Sequence, residues 1–262
     1  MCKQKYKYKD GELLSDILPK LRPFDAIFFK GNSAFSSVIK LFGKTKKRVI
    51  NQCDFTHVGV IVTSDILLHD NILPNRKYIL ESIVGGIFAH NIKDINQKTF
   101  SGVQIRDLEE VISAYDIDNS TQVAYGLLIN NPIDTIPFKN IKEKFTEFYA
   151  KYYGKNYDMN PYSLASSACS CLRPCRTSVE TFCNTDDYYF CSEIITILYK
   201  YFGIYPESVN EKDVLPMDIA YSELDKYNNP KIMRKLIFIT TLIHYIPKNK
   251  CNNVKRLKIK NK

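Results

Sequence analysis

The chain has 262 residues, 45% of them hydrophobic, and carries a formal net charge of +9. This length allows a substantial buried core, and we expect one domain over residues 1–262. No run of about 18 or more uninterrupted apolar residues occurs, which excludes an ordinary transmembrane helix. The opening MCKQKYKYKDGELL lacks the apolar segment of a secretory signal, so we expect a cytoplasmic protein. The run LIFITTLIHYI at 236–246 is too short to span a bilayer and predicts a core strand or helix.

The positive charge is concentrated in residues 3–9, in residues 44–48 and in a basic tail from about residue 248. Such clusters favour anionic partners, including an anionic membrane surface, and the cluster ahead of His57 could attract a phospholipid or another anionic substrate. Solvated, flexible ends are the alternative. No recognition fold or aromatic stacking platform accompanies the charge, so we predict no specific nucleic-acid binding.

The predicted elements begin with strands and continue with helices around a cysteine. This order is an α+β pattern, which predicts a small antiparallel β-sheet or partial barrel packed against helices. The predicted elements in chain order are a strand at 25–30, a short helix from Ser33 to Gly43, strands at 57–62 and 77–82, a strand and helix within 102–115, a strand at 122–129 and an amphipathic helix at 138–153.

The most informative segment is YYFCSEIITILYKYFGI at 188–204, which predicts a buried helix with Cys191 in its opening turn. Free N–H groups at a helix start carry partial positive charge and stabilise a thiolate, so a thiol placed there can act as a nucleophile. The alternative is a small buried core residue, since free cysteine is among the most buried residue types. The apolar positions at helical spacing are Phe190, Ile194, Ile195, Leu198 and Phe202, the cap-type residues before them are Thr185, Asp186 and Asp187, and Gly203 is the expected stop.

A base and an orienting acid occur on two predicted strands. His57 opens HVGVIV after a polar turn, and Glu81 lies near the end of KYILES in otherwise apolar surroundings. If these strands pair, Glu81 can hold the imidazole ring while His57 takes the proton of Cys191, as in acyl-transfer enzymes. A Glu81→Gln change is then expected to lower turnover without harming the fold. The other histidines, His69, His90 and His244, are predicted to be surface or core residues.

Six motifs follow one another along most of the chain: LRPFDAIFFKG at 21–31, THVGVIV with His57, LES with Glu81 followed by GGI, YYGKNYD at 152–158, FCSEI with Cys191, and PMDIAYS at 216–222. In this set the chain resembles the circularly permuted branch of the NlpC-type papain-like superfamily, the YiiX-like proteins and their relatives in poxviruses and other large DNA viruses. The histidine precedes the cysteine, as in the permuted branch and unlike ordinary papain-like enzymes. Phe24 stands where the family has a glycine, a departure that affects a turn.

The resemblance implies a permuted papain-like fold and a thiol-dependent hydrolase of amide bonds, a peptidase or amidase acting through a thioester. Cys191 would be the nucleophile, His57 the base and Glu81 the third polar residue, with no cofactor. A lipid-ester or lipid-amide hydrolase or acyltransferase on the same triad is the alternative, and a non-catalytic peptide- or lipid-binding module is the second. The partner would be a peptide-amide or lipid substrate. A viral source would place the protein in the host cytoplasm or virion, and the oligomeric state stays open.

A cysteine-rich segment at about 163–186 is predicted to be an insertion in this domain. Its spacing is not that of paired CxxC zinc knuckles, and no histidine lies nearby. A loop of reduced thiols, one or two disulfides and a structural zinc site are the three alternatives. Outside this segment no metal site is predicted. The four cysteines are Cys169, Cys171, Cys175 and Cys183.

Overall fold

The computed structural model describes residues 12–31, 55–84, 92–116, 122–158, 187–221 and 232–240. The strands in these ranges are β1 (Glu12–Leu13), β2 (Ala26–Lys30), β3 (His57–Val62), β4 (Tyr78–Ile83), β5 (Gly102–Asp107), β6 (Gln122–Leu128), β7 (Asn156–Tyr157), β8 (Tyr188–Tyr189) and β9 (Met233–Thr240). The α-helices are α1 (Leu14–Ile17), α2 (Leu108–Asp116), α3 (Phe138–Tyr152), α4 (Cys191–Tyr201) and α5 (Pro216–Tyr221). Short 3-10 turns lie at Leu18–Lys20, Pro132–Asp134 and Glu211–Asp213.

The sheet contains seven strands in the order β1-β9-β6-β2-β3-β4-β5, and β7 and β8 form a separate parallel pair. Neighbouring strands of the large sheet are antiparallel except β1 and β9, which run parallel. The protein is therefore α+β with a mostly antiparallel sheet, as the sequence predicts. Over the described ranges this sheet is open, with β1 and β5 at its edges.

Both faces of the sheet are covered, which explains why its central strands are apolar along their whole length. On one face Phe28, Val60 and Leu80 share a core with residues of α3 and α4. On the other face Ile61 and Ile79 pack with residues of α1 and α2. Every residue of β3 and β4 is buried. A polar side chain in these strands therefore lies inside the protein and needs a partner there.

The turn before β2 holds α4 against the sheet. Phe24 has a φ of 69°, in the left-handed region that glycine adopts without strain. Its buried ring packs against Phe145 of α3 and Phe202 after α4, with ring centroids 5.9 and 4.6 Å apart. The Tyr199 hydroxyl of α4 donates to the Phe24 carbonyl oxygen at 2.9 Å. The phenylalanine that stands in place of a glycine thus adds buried apolar area that offsets the cost of its backbone conformation.

The helix predicted at 138–153 is α3, but one residue of its predicted apolar face is not in the core. Phe138 is 50% exposed, because it is the first residue of the helix and precedes the turns that contact the sheet. The remaining four residues of that face, Ile141, Phe145, Phe148 and Tyr152, are buried as predicted.

The apolar run at 236–246 begins within β9, so its first part is a strand. The predicted helix from Ser33, the cysteine-rich segment at 163–186 and the basic tail from residue 248 all lie outside the described residues. Among the helices of the described ranges, none has the length and apolar character needed to cross a bilayer.

Candidate active site

Helix α4 begins at Cys191, as its apolar spacing predicts, and ends before Gly203, which has a φ of 72°. Its cap differs from the prediction. Phe190 is the extended N-cap residue, and the Glu193 carboxylate accepts a hydrogen bond from the Phe190 N–H at 3.3 Å. Asp187 instead pairs with Lys155, and the other two predicted cap residues lie outside the described ranges. The cap therefore comes from inside the helix, because an acid in the first turn can reach back to its own N-cap.

Two further hydrogen bonds hold the start of α4 in place. The Ser192 hydroxyl donates to the Val214 carbonyl oxygen at 2.7 Å, and the Ser82 hydroxyl of β4 donates to the Tyr189 carbonyl oxygen at 2.7 Å. The Cys191 N–H lies in the first turn, where helix geometry supplies no carbonyl partner. The thiol is thus on a fixed helix end, with backbone donors beside it.

His57 and Glu81 lie where two neighbouring strands part. The β3–β4 pairing covers residues 60–62 of β3. Towards the start of β3, His57 pairs with Phe29 of β2, and towards the end of β4, Glu81 pairs with β5. In the described part of the sheet the β3–β4 pairing therefore ends before these two residues. Their side chains meet across the two strands, with His57 Nε2 and Glu81 Oε2 2.6 Å apart.

The structure brings Cys191, His57 and Glu81 together, as the sequence predicts. The Cys191 thiol lies close enough to the His57 ring to raise the pKa of the imidazole. Since His57 Nε2 faces Glu81, Nδ1 is the nitrogen left for the thiol. The exposed fractions of Cys191, His57 and Glu81 are 2%, 9% and 0%. The prediction assumed that the strands carrying His57 and Glu81 pair with each other. They do pair, but the paired residues of β3 and β4 do not include His57 or Glu81.

The electrostatics of the pair follow from burial and charge. Burial lowers the pKa of His57, but the charge and hydrogen bond of Cys191 and those of Glu81 outweigh it and raise that pKa to about 9. Burial raises the pKa of Glu81, but the guanidinium of Arg106 and the hydrogen bond to His57 outweigh it, so this pKa lies below its ordinary value. Glu81 is therefore ionised at neutral pH, and the His57 ring is positively charged there.

Arg106 on β5 is the site residue that the sequence analysis missed. Its side chain is 1% exposed, and its Nε and Nη2 contact Glu81 Oε1 at 2.8 and 2.7 Å. In the β4–β5 register Glu81 lies opposite Gln104, so Arg106 is its diagonal neighbour on the same face. A signal was present in the sequence, because an arginine within the buried strand GVQIRD requires an anion, and Glu81 on another buried strand requires a cation.

Aromatic side chains surround the imidazole on the α2 face of the sheet. The centroid of the His57 ring lies 5.5 Å from that of Phe29 and 6.3 Å from that of Tyr115. The planes of the His57 and Tyr115 rings differ by only 8°. Burial, followed by the charges of Glu81 and Cys191, raises the pKa of Tyr115, so its phenol is neutral. These rings restrict the imidazole to the plane in which it can contact both Cys191 and Glu81.

Comparisons with known proteins find similarity to solved structures but no match by sequence. No protein-family model matches this sequence, and the search of curated proteins found no match. Among solved structures, the chain is similar to the crystal structure of the metalloprotein YiiX from Escherichia coli O157:H7, with 16% sequence identity and a TM-score of 0.40. The similarity covers 84% of this chain and 97% of that chain.

The other histidines and the cysteine cluster either lie apart from Cys191 or fall outside the described ranges. His69 Nε2 contacts Asn96 Oδ1 at 3.1 Å, and its Nδ1 accepts from the Asn71 N–H, in a loop network apart from Cys191. Within the described residues, no group of three or more His, Cys, Asp or Glu side chains could hold a metal ion. Six residues considered in the sequence analysis lie outside the described ranges: His90, His244, Cys169, Cys171, Cys175 and Cys183.

A small pocket opens beside the thiol. Its lining is mainly apolar and includes Tyr157, Phe190, Val214, Leu215 and Pro216. These side chains are supplied by β7, by the N-cap of α4, and by the segment that leads into α5 together with its first residue. A group attached to Cys191 would therefore meet apolar and aromatic surface.

Proposed function

We propose that this chain is a thiol-dependent hydrolase of amide bonds that works through a thioester on Cys191, on a permuted papain-like fold of the YiiX-like kind. The observation that carries the proposal is the buried group formed by Cys191 at the start of a helix, His57 beside it, and Glu81 hydrogen-bonded to His57. It contains a nucleophile, a base and an orienting acid in contact order. A groove that only binds its ligand needs no such chain.

The proposed reaction has two half-reactions. The Cys191 proton passes to His57 Nδ1, and the thiolate attacks the carbonyl carbon to form a C–S bond. The C–N bond then breaks as His57 gives its proton to the departing amine. In the second half His57 takes a proton from water, the water oxygen forms a C–O bond, the C–S bond breaks, and the proton returns to the sulfur. Glu81 stays ionised throughout and holds the ring.

The negative oxygen of each tetrahedral intermediate requires donors. Backbone N–H groups in the first turn of α4 lie beside the thiol and have no carbonyl partner within the helix. Such groups stabilise an oxyanion because they are fixed in place before the reaction starts. We assign this role to the N–H of Cys191.

A second candidate function is a lipid-ester or lipid-amide hydrolase or an acyltransferase on the same residues. The apolar lining beside Cys191 favours it, because the first carbons of an acyl group held as a thioester would meet apolar surface there. In an acyltransferase an amine or hydroxyl would replace water as the acceptor. The predicted contact with an anionic membrane surface would suit this function, but its basic segments lie outside the described residues.

The test is incubation of the purified protein with libraries of peptide amides, acyl amides and lipid esters. We expect an acyl adduct on Cys191 by peptide mass spectrometry and a product that disappears after thiol blocking and in Cys191→Ser. Cys251→Ser is the matched control and should retain the product. The library that yields the adduct decides between the two candidates. Absence of an adduct from all three libraries would favour a peptide- or lipid-binding module.

A further inference from the structure

Arg106 extends the hydrogen-bonded chain of the site by one residue. Its two donors contact Oε1 of Glu81, whereas His57 contacts Oε2. Each carboxylate oxygen therefore has a different partner. Because the guanidinium is planar and presents its donors as a rigid fork, it sets the plane of the carboxylate as well as its charge.

The charge of Arg106 decides which group donates in the bond between Glu81 and His57. Burial alone favours a protonated, neutral carboxyl, and the charge of Arg106, followed by the contact with His57, reverses that preference. A neutral Glu81 can donate to His57 Nε2, which would leave the ring proton on Nδ1. An ionised Glu81 can only accept, so Nε2 carries a proton and Nδ1 is available for the proton of Cys191.

Arg106 also balances the charge of the buried site. After the thiol proton has moved to His57, the thiolate, the imidazolium and the Glu81 carboxylate sum to one negative charge. The guanidinium brings this sum to zero. A buried charge without a partner is strongly unfavourable, so the balance favours the ion pair of Cys191 and His57.

We propose that Arg106 is a positioning residue of this site, which keeps Glu81 ionised and in place and thereby keeps His57 Nδ1 available to accept the proton of Cys191. This inference rests on the proposed function, because it assigns a role within the same site. It implies that Arg106 contributes to the reactivity of the thiol as well as to the stability of the fold.

The test is the pH profile of Cys191 alkylation by limiting iodoacetamide, followed by peptide mass spectrometry on the full chain. We expect Arg106→Met and Arg106→Gln to react about tenfold or more slowly than wild type near pH 6. Arg106→Lys, which keeps the charge, should recover most of the rate. Arg76→Met is the matched control, because Arg76 pairs with Asp107 at 2.6 Å on the surface beside Arg106, and its profile should equal that of wild type.

A folded Arg106→Met or Arg106→Gln variant with a wild-type profile and only a lower melting temperature would overturn the inference. The glutamine variant keeps a hydrogen-bond donor and is used if the methionine variant does not fold. If neither folds, ¹⁵N NMR of His57 in the wild-type protein above about pH 9 decides, since the inference requires the proton on Nε2 and an Nδ1–H ring would overturn it. Alkylation and NMR need no substrate. A missing hydrolytic product therefore counts against the proposed function alone, and an unchanged profile counts against the role of Arg106.

Discussion

At the scale of single residues, the site is a linear chain in which each buried polar group is the polar partner of the next. Cys191 lies beside His57, His57 is hydrogen-bonded to Glu81, and Glu81 is hydrogen-bonded to Arg106. Burial makes each of these groups costly to leave without its partner. A substitution within the chain therefore affects its neighbours, and the effects of two substitutions will not add.

Replacing Glu81 with Gln should destabilise the protein, contrary to the expectation from the sequence. The neutral amide leaves the charge of Arg106 buried without compensation, and breaking a buried pair costs about 3–5 kcal/mol of unfolding free energy. Denaturant unfolding measures this loss. The double variant Glu81→Gln/Arg106→Met removes both charges and should be more stable than Glu81→Gln alone. Wild-type stability in Glu81→Gln would show that Arg106 does not depend on Glu81.

Replacing His57 with Ala should slow the alkylation of Cys191 most at mildly acidic pH. The pKa of His57 is raised to about 9, so its positive charge is present beside the thiol throughout that range. We expect the rate near pH 6 to fall about tenfold or more. His69→Ala is the matched control and should not change the rate, since His69 bonds to Asn96 in another part of the fold. If Cys191 in the wild type labels no faster than Cys2 or Cys251, the pair is not assembled, and a binding module becomes the better function.

At the scale of elements, the approach of β3 to β4 sets the distance between His57 and Glu81. Gly59 permits this approach, because a Cβ there would lie 2.6 Å from Ile79 Cδ1 and 2.8 Å from the Leu80 carbonyl oxygen. The Leu80 contact is with backbone inside the sheet, which cannot move without shifting the strand. The glycine in HVGVIV is therefore required by close packing of strands.

Gly59→Ala should lower the unfolding free energy by about 1–3 kcal/mol, because the added methyl forces β3 and β4 apart. It should also slow the alkylation of Cys191, since His57 then moves away from Glu81. Gly126→Ala is the matched control. Its Cβ would meet the flexible Met233 Sδ at 2.9 Å and Phe28 Cε2 at 3.1 Å, so we expect a smaller loss of stability and no change in alkylation. If the two variants lose equal stability and alkylate at equal rates, Gly59 is not required for the geometry of the site.

At the scale of the whole molecule, the sheet separates two cores that meet at the site. Cys191 belongs to the core on the face of α3 and α4, whereas the rings beside His57 belong to the face of α2. The thiol and the imidazole come together at the end of the sheet where β3 and β4 part. The site is therefore built from both layers, and it depends on the packing of each.

The stability of the whole protein should fall in acid partly because of Glu81. Its pKa is lower in the folded protein than its ordinary value of 4.5, so its contribution is present above that value and is lost as the pH falls through the folded value. Denaturant unfolding from neutral pH to below about pH 4 measures this, and Glu81→Gln/Arg106→Met should decline less steeply than wild type. Burial raises the pKa of Asp25, which acts in the opposite direction in both proteins. If the unfolding free energies of the two proteins decline in parallel, the ionisation of Glu81 does not contribute to the stability of the folded state.

The sequence by itself determined the elements, because the periodicity that specifies them is local. The apolar spacing after Cys191 predicted α4, the run HVGVIV predicted β3, and the class α+β followed from their order. It also indicated which polar residues needed partners, since Glu81 stood among apolar neighbours on a predicted strand.

Only the tertiary structure decided which partners these residues have. Arg106 lies on a strand whose other polar residues are Gln104 and the terminal Asp107, and nothing local says that it faces Glu81. That contact arises from the β4–β5 register, and register is set by packing over the whole sheet. The N-cap of α4 is different, because Glu193 lies only three residues after Phe190 and this local spacing is already present in the sequence. Contacts between residues distant in sequence depend on how the strands align, which the local pattern of side chains does not contain.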